Sequence, residues 1–475
     1  MLEKRNFYIN GAWVAPATAN DFPVIDPSTE EQCAVISLGG QADTDAAANA
    51  ARAAFDGWSQ TSKEERTALI RKLLEIYKAR AEEMAQAMSL EMGAPIELSR
   101  NQQVGAGSWH MEGFLKAFEN FSFDRDFTAT EKTLLEPIGV CALITPWNWP
   151  MNQIILKAIP AMATGCTMVL KPSEIAPLSG LLFAEFVHEA GFPAGVFNMV
   201  NGDGPGVGSQ LSAHPEVDMV SFTGSTRAGI AISKAAADTL KRVSLELGGK
   251  GANIIFEDAH PKAAKQGAIR CFRNSGQSCN APTRMLVHKS RYDEAVEMAA
   301  DVANTTHVGP ASDEGNHIGP VVSEAQFNKI QGLIEVGMSE ARLVAGGLGR
   351  PDGLNRGYYV KPTVFADVNN QMTIAREEVF GPVLTIIPFE SEEEAIAITN
   401  DTPYGLTNYI QTADDNKRRR VARRVRSGMV ETNSQGFAQG SPFGGYKQSG
   451  NGREGGHFGL EEFLEVKAVS GWAAE

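Results

Sequence analysis

The sequence contains few cysteines, and none of them stands in a motif. The five, which are odd in number and scattered, are Cys33, Cys141, Cys166, Cys271 and Cys279. There is no CxxC pair and no Cys/His cluster, so the spacing argues against a disulfide framework and against a zinc site. We therefore expect a reducing, cytoplasmic setting and no bound metal.

The chain also lacks long apolar segments and an excess of positive charge. No apolar run approaches the ~18 residues needed to span a bilayer, and the N-terminus has no segment typical of a signal peptide. Lys+Arg number 43 and Asp+Glu 57, a net charge of −14. That balance argues against a general nucleic-acid-binding surface. We expect neither a membrane nor a nucleic acid as partner, and a chain of 475 residues predicts two or three domains.

Short apolar strands alternate with helical segments from residue 138 onward, which predicts βαβ units and an α/β fold with parallel sheets. The predicted strands are 140–145, 168–171, 196–200, 219–222 and 243–247, then 253–256, 284–288, 383–388, 404–411 and 429–432. Before them, Ser62 and Glu65 form a capping box that opens a predicted helix over 61–91. Residues 121–137 alternate at strand spacing and suggest a hairpin arm, and 462–469 predict a last strand.

Cys279 stands in the run Phe-Arg-Asn-Ser-Gly-Gln-Ser-Cys-Asn, which surrounds the thiol with small and amide residues. A thiol attacks only as its thiolate, so a reactive cysteine needs polar or cationic surroundings or a nearby base. A free cysteine is more commonly a buried core residue. This run alone leaves nucleophile and core filler open.

Several predicted strands end in turns that suit a nucleotide. Lys171 and Glu174, just past one strand, can hydrogen-bond two ribose hydroxyls. Gly224 and Ser225 precede a predicted helix, whose N-terminus attracts a phosphate, although an ordinary serine cap has the same pattern. The glycine-rich turn that contains Gly204 matches a dinucleotide fingerprint poorly, and we interpret it as a tight turn near the adenine end of a cofactor.

Two further strand ends carry candidates for acid–base and oxyanion chemistry. Glu246 follows apolar residues and precedes two glycines, so partial desolvation would raise its pKa towards that of a useful base. The alternative is a glutamate that faces solvent. Asn148, between two tryptophans, suits an oxyanion site, or else it belongs to a packed aromatic corner.

Together and in this order, seven stretches resemble the NAD(P)-dependent aldehyde dehydrogenase superfamily. The resemblance covers nearly the whole chain, from about residue 7 to residue 469. The stretches are Pro-Trp-Asn, Lys-Pro-Ser-Glu, Gly-Ser-Thr, Glu-Leu-Gly-Gly-Lys, Asn-Ser-Gly-Gln-Ser-Cys, Glu-Glu-Val-Phe-Gly-Pro and Pro-Phe-Gly-Gly-Tyr-Lys.

The resemblance implies a role for each catalytic candidate. Cys279 matches the nucleophile that forms a thiohemiacetal and then a thioester, and Asn148 matches the oxyanion donor. Glu246 matches the base that activates water, so hydrolysis is expected rather than acyl transfer to coenzyme A. Lys157 and Glu454 match a proton path behind the base, or they form a structural ion pair.

The resemblance also implies NAD as cofactor, with NADP disfavoured because a carboxylate at Glu174 would repel a 2′-phosphate. Glu378 resembles the ligand of the nicotinamide ribose. The cofactor-binding residues implied in this way are Thr145, Pro146, Trp147, Lys171, Ser173, Glu174, Gly204, Phe222, Gly224, Ser225, Leu247, Glu378 and Phe380.

Three units and an oligomer are implied as well. We expect a Rossmann-like cofactor domain at 1–118 and 138–248, and an α/β catalytic domain at 249–447. A small β oligomerisation arm is expected at 119–137 and 448–475, and a homodimer or homotetramer follows from it.

The substrate pocket is expected to include Trp149, Arg273, Ser278, Phe437 and Phe443, although each aromatic residue could instead belong to the core. Arg273 precedes Cys279 by six residues, where many relatives have an apolar residue. It either contacts a carboxylate at the far end of a semialdehyde substrate or makes a structural salt bridge. Two other functions stay open: a cysteine acyl hydrolase without a nicotinamide cofactor, and a catalytically silent relative.

Overall fold

The computed structural model describes residues 1–472, which form two seven-stranded and two three-stranded sheets with helices around them. The α-helices are Gln41–Ser59, Lys63–Ala79, Ala81–Met92, Ile96–Leu98, Val104–Glu119, Pro150–Thr164, Leu178–Ala190, Ser209–Ala213, Thr226–Ala237, Ala263–Phe272, Tyr292–Thr305, Glu324–Glu340, Thr373–Arg376, Glu392–Asn400, Asp415–Arg424 and Gly456–Glu461. Within 1–472, no helix combines the length and the apolar character needed to cross a membrane.

The first large sheet has five parallel strands followed by an antiparallel hairpin. In spatial order its strands are Arg242–Glu246, Met219–Thr223, Val140–Ile144, Thr167–Lys171, Phe197–Met199, Phe7–Ile9 and Ala12–Val14. The five parallel strands are those predicted from the first apolar runs.

The second large sheet has six parallel strands and one antiparallel edge strand. In spatial order its strands are Arg342–Ala345, Thr363–Ala366, Val383–Phe389, Arg284–His288, Ala252–Ile255, Thr407–Gln411 and Met429–Thr432. The predicted α/β fold is therefore confirmed. The strand predicted over 404–411 begins only at Thr407, because the backbone of Gly405 bonds to the Ser449 hydroxyl and to the N–H groups of Gly428 and Tyr446 instead of the neighbouring strand.

Two small sheets complete the architecture. One contains Leu2–Lys4, Glu31–Ser37 and Asp21–Asp26. In the other, the hairpin Asp124–Thr128 and Glu131–Pro137 pairs with Leu464–Ser470 in antiparallel register. The predicted hairpin and the predicted last strand thus lie side by side, far apart in sequence.

The helix predicted over 61–91 is two helices, and this prediction was wrong in its continuity. The backbone leaves the helical region at Arg80, with φ −107° and ψ 26°. The apolar periodicity nevertheless continues across the break, because Lys63–Ala79 and Ala81–Met92 both pack against the helix Leu178–Ala190. The capping box of Ser62 and Glu65 is present as predicted.

Candidate active site

A cavity of about 210 Å³ lies beyond the carboxyl ends of the first sheet's strands, where open α/β sheets bind ligands. We call it the cofactor-side cavity. Its lining includes these residues expected from the sequence: Pro146, Trp147, Asn148, Gly224, Ser225, Leu247, Cys279, Glu378 and Phe380. It also includes Thr223, Gly248, Gln326 and Lys329, which the sequence interpretation missed.

The loop before Cys279 has an unusual backbone. Asn274 and Ser275 are left-handed without being glycine, with φ of 53° and 56°, and Gly276 follows at 72°. A Cβ on Gly276 would lie 2.0 Å from the carbonyl oxygen of Gly381, so only glycine fits. Ser275 Oγ donates a hydrogen bond to the carbonyl of Gly319 at 2.7 Å. The loop is strained but anchored, as is typical of functional segments.

The Pro-Trp-Asn-Trp turn is hydrogen-bonded to this loop. Asn148 Nδ2 donates to the carbonyl of Gln277 at 3.1 Å, and Trp149 Nε1 donates to Ser278 Oγ at 2.8 Å. The carbonyl of Asn148 accepts from Asn274 Nδ2 at 3.0 Å. These contacts hold the Asn148 amide beside the residues that precede Cys279.

The surroundings of Cys279 favour the protonated form of its thiol. Burial raises the pKa of its thiol above the ordinary range, and the nearby carboxylates Glu378, Glu246 and Glu454 raise it further. A base or an added positive charge is therefore required before the thiol can attack.

Glu246 is a buried carboxylate without a hydrogen-bond partner. It is 2% exposed, and neither carboxylate oxygen has a partner among residues 1–472. Burial raises its pKa well above the usual value, and the charge of Glu454 raises it further. The alternative in which Glu246 faces solvent is therefore wrong.

Lys157 and Glu454 form a buried ion pair, with 2.5 Å between Nζ and Oε1. Glu454 Oε2 has no partner within the described residues. Because the Glu454 charge acts on the pKa of Glu246, the pair is electrostatically connected to that carboxylate. The contact between Lys157 and Glu454 is therefore compatible with a structural ion pair and with a proton path.

The residues expected at the adenosine end lie at two neighbouring strand ends. Lys171 Nζ donates to Glu174 at 3.3 Å and to the carbonyl of Gly202 at 2.5 Å. Ser173, which lies between Lys171 and Glu174 in the sequence, is buried. Gly204 is exposed and lies at the start of the glycine-rich turn. Lys171 therefore joins the Lys-Pro-Ser-Glu turn to the glycine-rich turn.

The helix Thr226–Ala237 begins at this end of the sheet. Ser225 Oγ caps it by accepting from the backbone N–H of Ala228 at 3.3 Å. A Cβ on Gly224 would lie 2.4 Å from the ring of the buried Phe222, so a larger residue does not fit at this turn. Thr145 is buried at the adjoining strand end, and its hydroxyl has no partner among residues 1–472.

Glu378 is placed by main-chain contacts. Its Oε1 accepts from the backbone N–H of Gly249 at 2.9 Å, and its carbonyl accepts from Lys329 Nζ at 2.9 Å. Gln326 Nε2 donates to the carbonyl of Phe380 at 2.8 Å. Gln326 and Lys329 thus hold this segment from the helix Glu324–Glu340. No sequence motif reveals them, because such residues near a helix N-terminus look like ordinary surface residues.

A second cavity of about 510 Å³ lies on the other side of the Cys279 loop. We call it the substrate-side cavity. Its lining consists of Trp149, Gln266, Ile269, Arg270, Arg273, Ser278, Asn280, Ala281, Glu431, Ser434 and Gly436. Trp149, Arg273 and Ser278 were expected there, and Arg270 and Glu431 were missed. Phe437 and Phe443 do not belong to this lining.

Arg273 is exposed and makes no ion pair with any residue of 1–472. The structural salt bridge considered as its alternative role is thus not observed. Its side chain is available to a ligand of the cavity.

Comparison with known proteins agrees with this geometry. Residues 13–469 match the model of the aldehyde dehydrogenase family. The chain is 51% identical over 475 residues to a 3-succinoylsemialdehyde-pyridine dehydrogenase of a Pseudomonas species, with 99% of each chain covered. A solved aldehyde dehydrogenase of Bartonella henselae is 59% identical with a TM-score of 0.99, covering 99% of this chain and 100% of its own.

Another solved structure is aldehyde dehydrogenase C of Pseudomonas syringae, as a cysteine-to-alanine mutant with NAD+ and octanal. It is 49% identical with a TM-score of 0.98, covering 99% of this chain and 97% of its own. The family model and these full-length similarities lead to one conclusion: the chain belongs to the aldehyde dehydrogenase family.

Proposed function

We propose that the protein oxidises an aldehyde to the carboxylic acid with NAD, through a covalent intermediate on Cys279. The observation that carries this proposal is that Cys279 lines the cofactor-side cavity with Asn148, while its neighbours Ser278 and Asn280 line the substrate-side cavity and the buried Glu246 acts on its thiol. The solved relative with bound NAD+ and octanal supports both ligands.

The Cys279 thiol first loses its proton to solvent water, and the thiolate Sγ then adds to the aldehyde carbon. The oxyanion that forms would accept from Asn148 Nδ2 and from the backbone N–H of Cys279. Loss of one such donor typically lowers the rate by about 10²–10³. When NAD is bound, its nicotinamide ring accepts the hydride that leaves the thiohemiacetal carbon, and a thioester remains on Cys279.

Hydrolysis of the thioester is assigned to Glu246. Its raised pKa makes it a stronger base than an exposed glutamate, so it can take a proton from the attacking water. We assign the Lys157–Glu454 pair, whose Glu454 charge acts on Glu246, to accepting or returning that proton. A base at this position favours water over coenzyme A as the acyl acceptor.

The described residues fit NAD. Gly224 and Ser225, at the N-terminus of the helix Thr226–Ala237, line the cofactor-side cavity, and a helix N-terminus there suits a pyrophosphate. Lys171 and Glu174 would bind the adenosine ribose hydroxyls, and Glu378 those of the nicotinamide ribose. The carboxylate of Glu174 would repel a 2′-phosphate, so NAD is preferred over NADP.

The test of the reaction class is NADH formation across a panel of aldehydes, with Cys279→Ser as the matched variant. We expect activity in the parent and loss of it in the variant. A cysteine acyl hydrolase would instead cleave esters without NAD; no histidine lines either cavity beside Cys279 to serve as its base. A catalytically silent relative would give no NADH with any aldehyde.

We further propose a substrate with an acid at its far end, bound by Arg273. Two observations support this proposal: Arg273 makes no ion pair within residues 1–472, and it lines the substrate-side cavity. The relative named for a semialdehyde supports this class, while the relative with octanal favours a neutral aldehyde as second candidate. The test compares semialdehydes with neutral aldehydes of equal length in the parent and in Arg273→Ala. An unchanged ratio of kcat/KM would reject the acidic substrate.

A homodimer or homotetramer is proposed from exposed apolar residues. Phe127 and Val466, on the small sheet formed by 124–137 and 464–470, are 76% and 69% exposed. We assign this sheet to an oligomerisation arm at 119–137 and 448–475, next to a cofactor domain at 1–118 and 138–248 and a catalytic domain at 249–447. Light scattering should show at least a dimer, and a monomer would contradict the assignment.

The free cysteines support a reducing, cytoplasmic setting.

A further inference from the structure

The substrate-side cavity contains a second arginine, Arg270, whose guanidinium is held on two sides. Its Nη1 donates a hydrogen bond to Glu431 Oε1, and its central carbon lies 4.5 Å from the centre of the Tyr409 ring. Glu431 and Tyr409 are both buried. An ion pair and a cation–π contact therefore fix the plane of this guanidinium before any ligand arrives.

Some N–H groups of the Arg270 guanidinium remain able to donate hydrogen bonds to a ligand. Its side chain is 37% exposed, and apart from Glu431 and Tyr409 no residue of 1–472 engages its guanidinium. It shares the cavity lining with Arg273, which makes no ion pair. The helix Ala263–Phe272 brings them together, since Arg270 occupies its last turn and Arg273 follows its end.

The charge balance of the cavity favours an anion. The charged side chains in its lining are Arg270, Arg273 and Glu431, and Glu431 already accepts from Arg270. Two guanidinium groups against one engaged carboxylate leave a net positive charge. The planar guanidinium fork matches a carboxylate better than it matches a neutral alkyl chain.

We propose that Arg270 is a specificity-determining residue that, together with Arg273, binds the carboxylate at the far end of the aldehyde. The inference rests on the proposed function and adds a division of roles. Arg270 is pre-oriented, so it loses little conformational freedom when it binds, whereas the exposed Arg273 must be ordered by the substrate. Arg270 thus sets where the carboxylate lies, and Arg273 closes over it.

The experiment compares succinate semialdehyde with butanal, which have the same chain length and differ in the carboxylate. The variant is Arg270→Gln with Glu431→Gln, because removing the arginine alone would leave a buried carboxylate unpaired. We expect the ratio of kcat/KM for the semialdehyde over butanal to fall about tenfold to a hundredfold. Competitive inhibition by succinate should weaken by a similar factor, independently of turnover.

Two controls separate recognition from structural damage. Glu431→Gln alone keeps the Arg270 charge and its contact with the Tyr409 ring but loses the ion pair, so the ratio should fall less than in the double variant. Arg420→Gln with Glu392→Gln removes an arginine–glutamate pair, 2.6 Å apart, that belongs to neither cavity. That variant should leave the ratio at the parent value.

A ratio within about twofold of the parent in the Arg270/Glu431 variant would overturn the proposal, as would an equal fall in Glu431→Gln alone. If that double variant fails to fold, Arg270→Lys tests the same point, because lysine keeps the charge but loses the fork. We expect it to lower the ratio, and an unchanged ratio would again reject Arg270. Failure of the proposed function is distinguishable, since the parent would then form no NADH from either aldehyde.

Discussion

The two cavities beside Cys279 are built differently. The cofactor-side cavity includes two glycines, Gly224 and Gly248, at which a Cβ would clash with Phe222 and with Glu378. The charged part of the substrate-side cavity consists of the long side chains of Arg270, Arg273 and Glu431. Such glycine positions do not accept another residue, whereas side chains that enter a cavity can be exchanged. The first therefore suits a constant ligand and the second a variable one.

The difference between the two cavities predicts two kinds of effect of a variant on the rates for different aldehydes. Changes on the cofactor side or at the shared nucleophile should lower the rates for all aldehydes by a similar factor. Changes on the substrate side should instead alter the ratio between aldehydes.

The largest effect is expected for Asn148→Ala, which removes the proposed oxyanion donor. We predict a fall in kcat of about 10²–10³ for acidic and neutral aldehydes alike. Steady-state kinetics with succinate semialdehyde and butanal measure this. A loss confined to one aldehyde would break the comparison, because Asn148 would then act as a pocket wall.

A somewhat smaller effect is expected for Glu246→Gln, which removes the proposed base but keeps the size of the side chain. Hydride transfer should persist as a burst of NADH, and the later hydrolysis should slow by about 10²-fold. In the parent, burial keeps Glu246 protonated to a higher pH than an ordinary glutamate, and only the ionised form accepts a proton. The hydrolysis rate should therefore rise as pH increases through the raised pKa, and the glutamine variant should lack this rise. Equal pH profiles would argue against Glu246 as the base.

The difference between the cavities also explains what could be predicted from the sequence. Asn148 and the turn at Gly224 come within three residues of the ends of predicted strands, Glu246 lies at the end of another, and parallel strands end at the same edge of a sheet. Gln326 and Lys329 left no such signal, because they act on the carbonyls of a distant segment. Glu431 lies inside the strand Met429–Thr432, where a sequence pattern cannot show that its carboxylate meets Arg270.

A smaller and more selective effect is expected for Glu174→Gln. Removing the carboxylate takes away the repulsion of a 2′-phosphate, so the kcat/KM ratio for NADP over NAD should rise about tenfold. The ratio between succinate semialdehyde and butanal should stay unchanged. Measuring both ratios in one variant sharpens the comparison, because a substrate preference that moved with Glu174 would show that the cavities are not independent.

The smallest effect is expected for Tyr409→Phe, at a residue that contacts both Asn280 and Arg270. The Tyr409 hydroxyl donates a hydrogen bond to the carbonyl of Asn280, which directly follows Cys279, while Arg270 packs on its ring. Loss of the hydroxyl should loosen the nucleophile loop and lower kcat about threefold to tenfold for every aldehyde. KM should change little.

Tyr359→Phe is the matched control, because this buried tyrosine donates to the carbonyl of Ser28 away from both cavities. An equal loss in both variants would indicate general destabilisation. A loss in Tyr409→Phe alone would show that a residue behind the variable cavity positions the nucleophile that both cavities share.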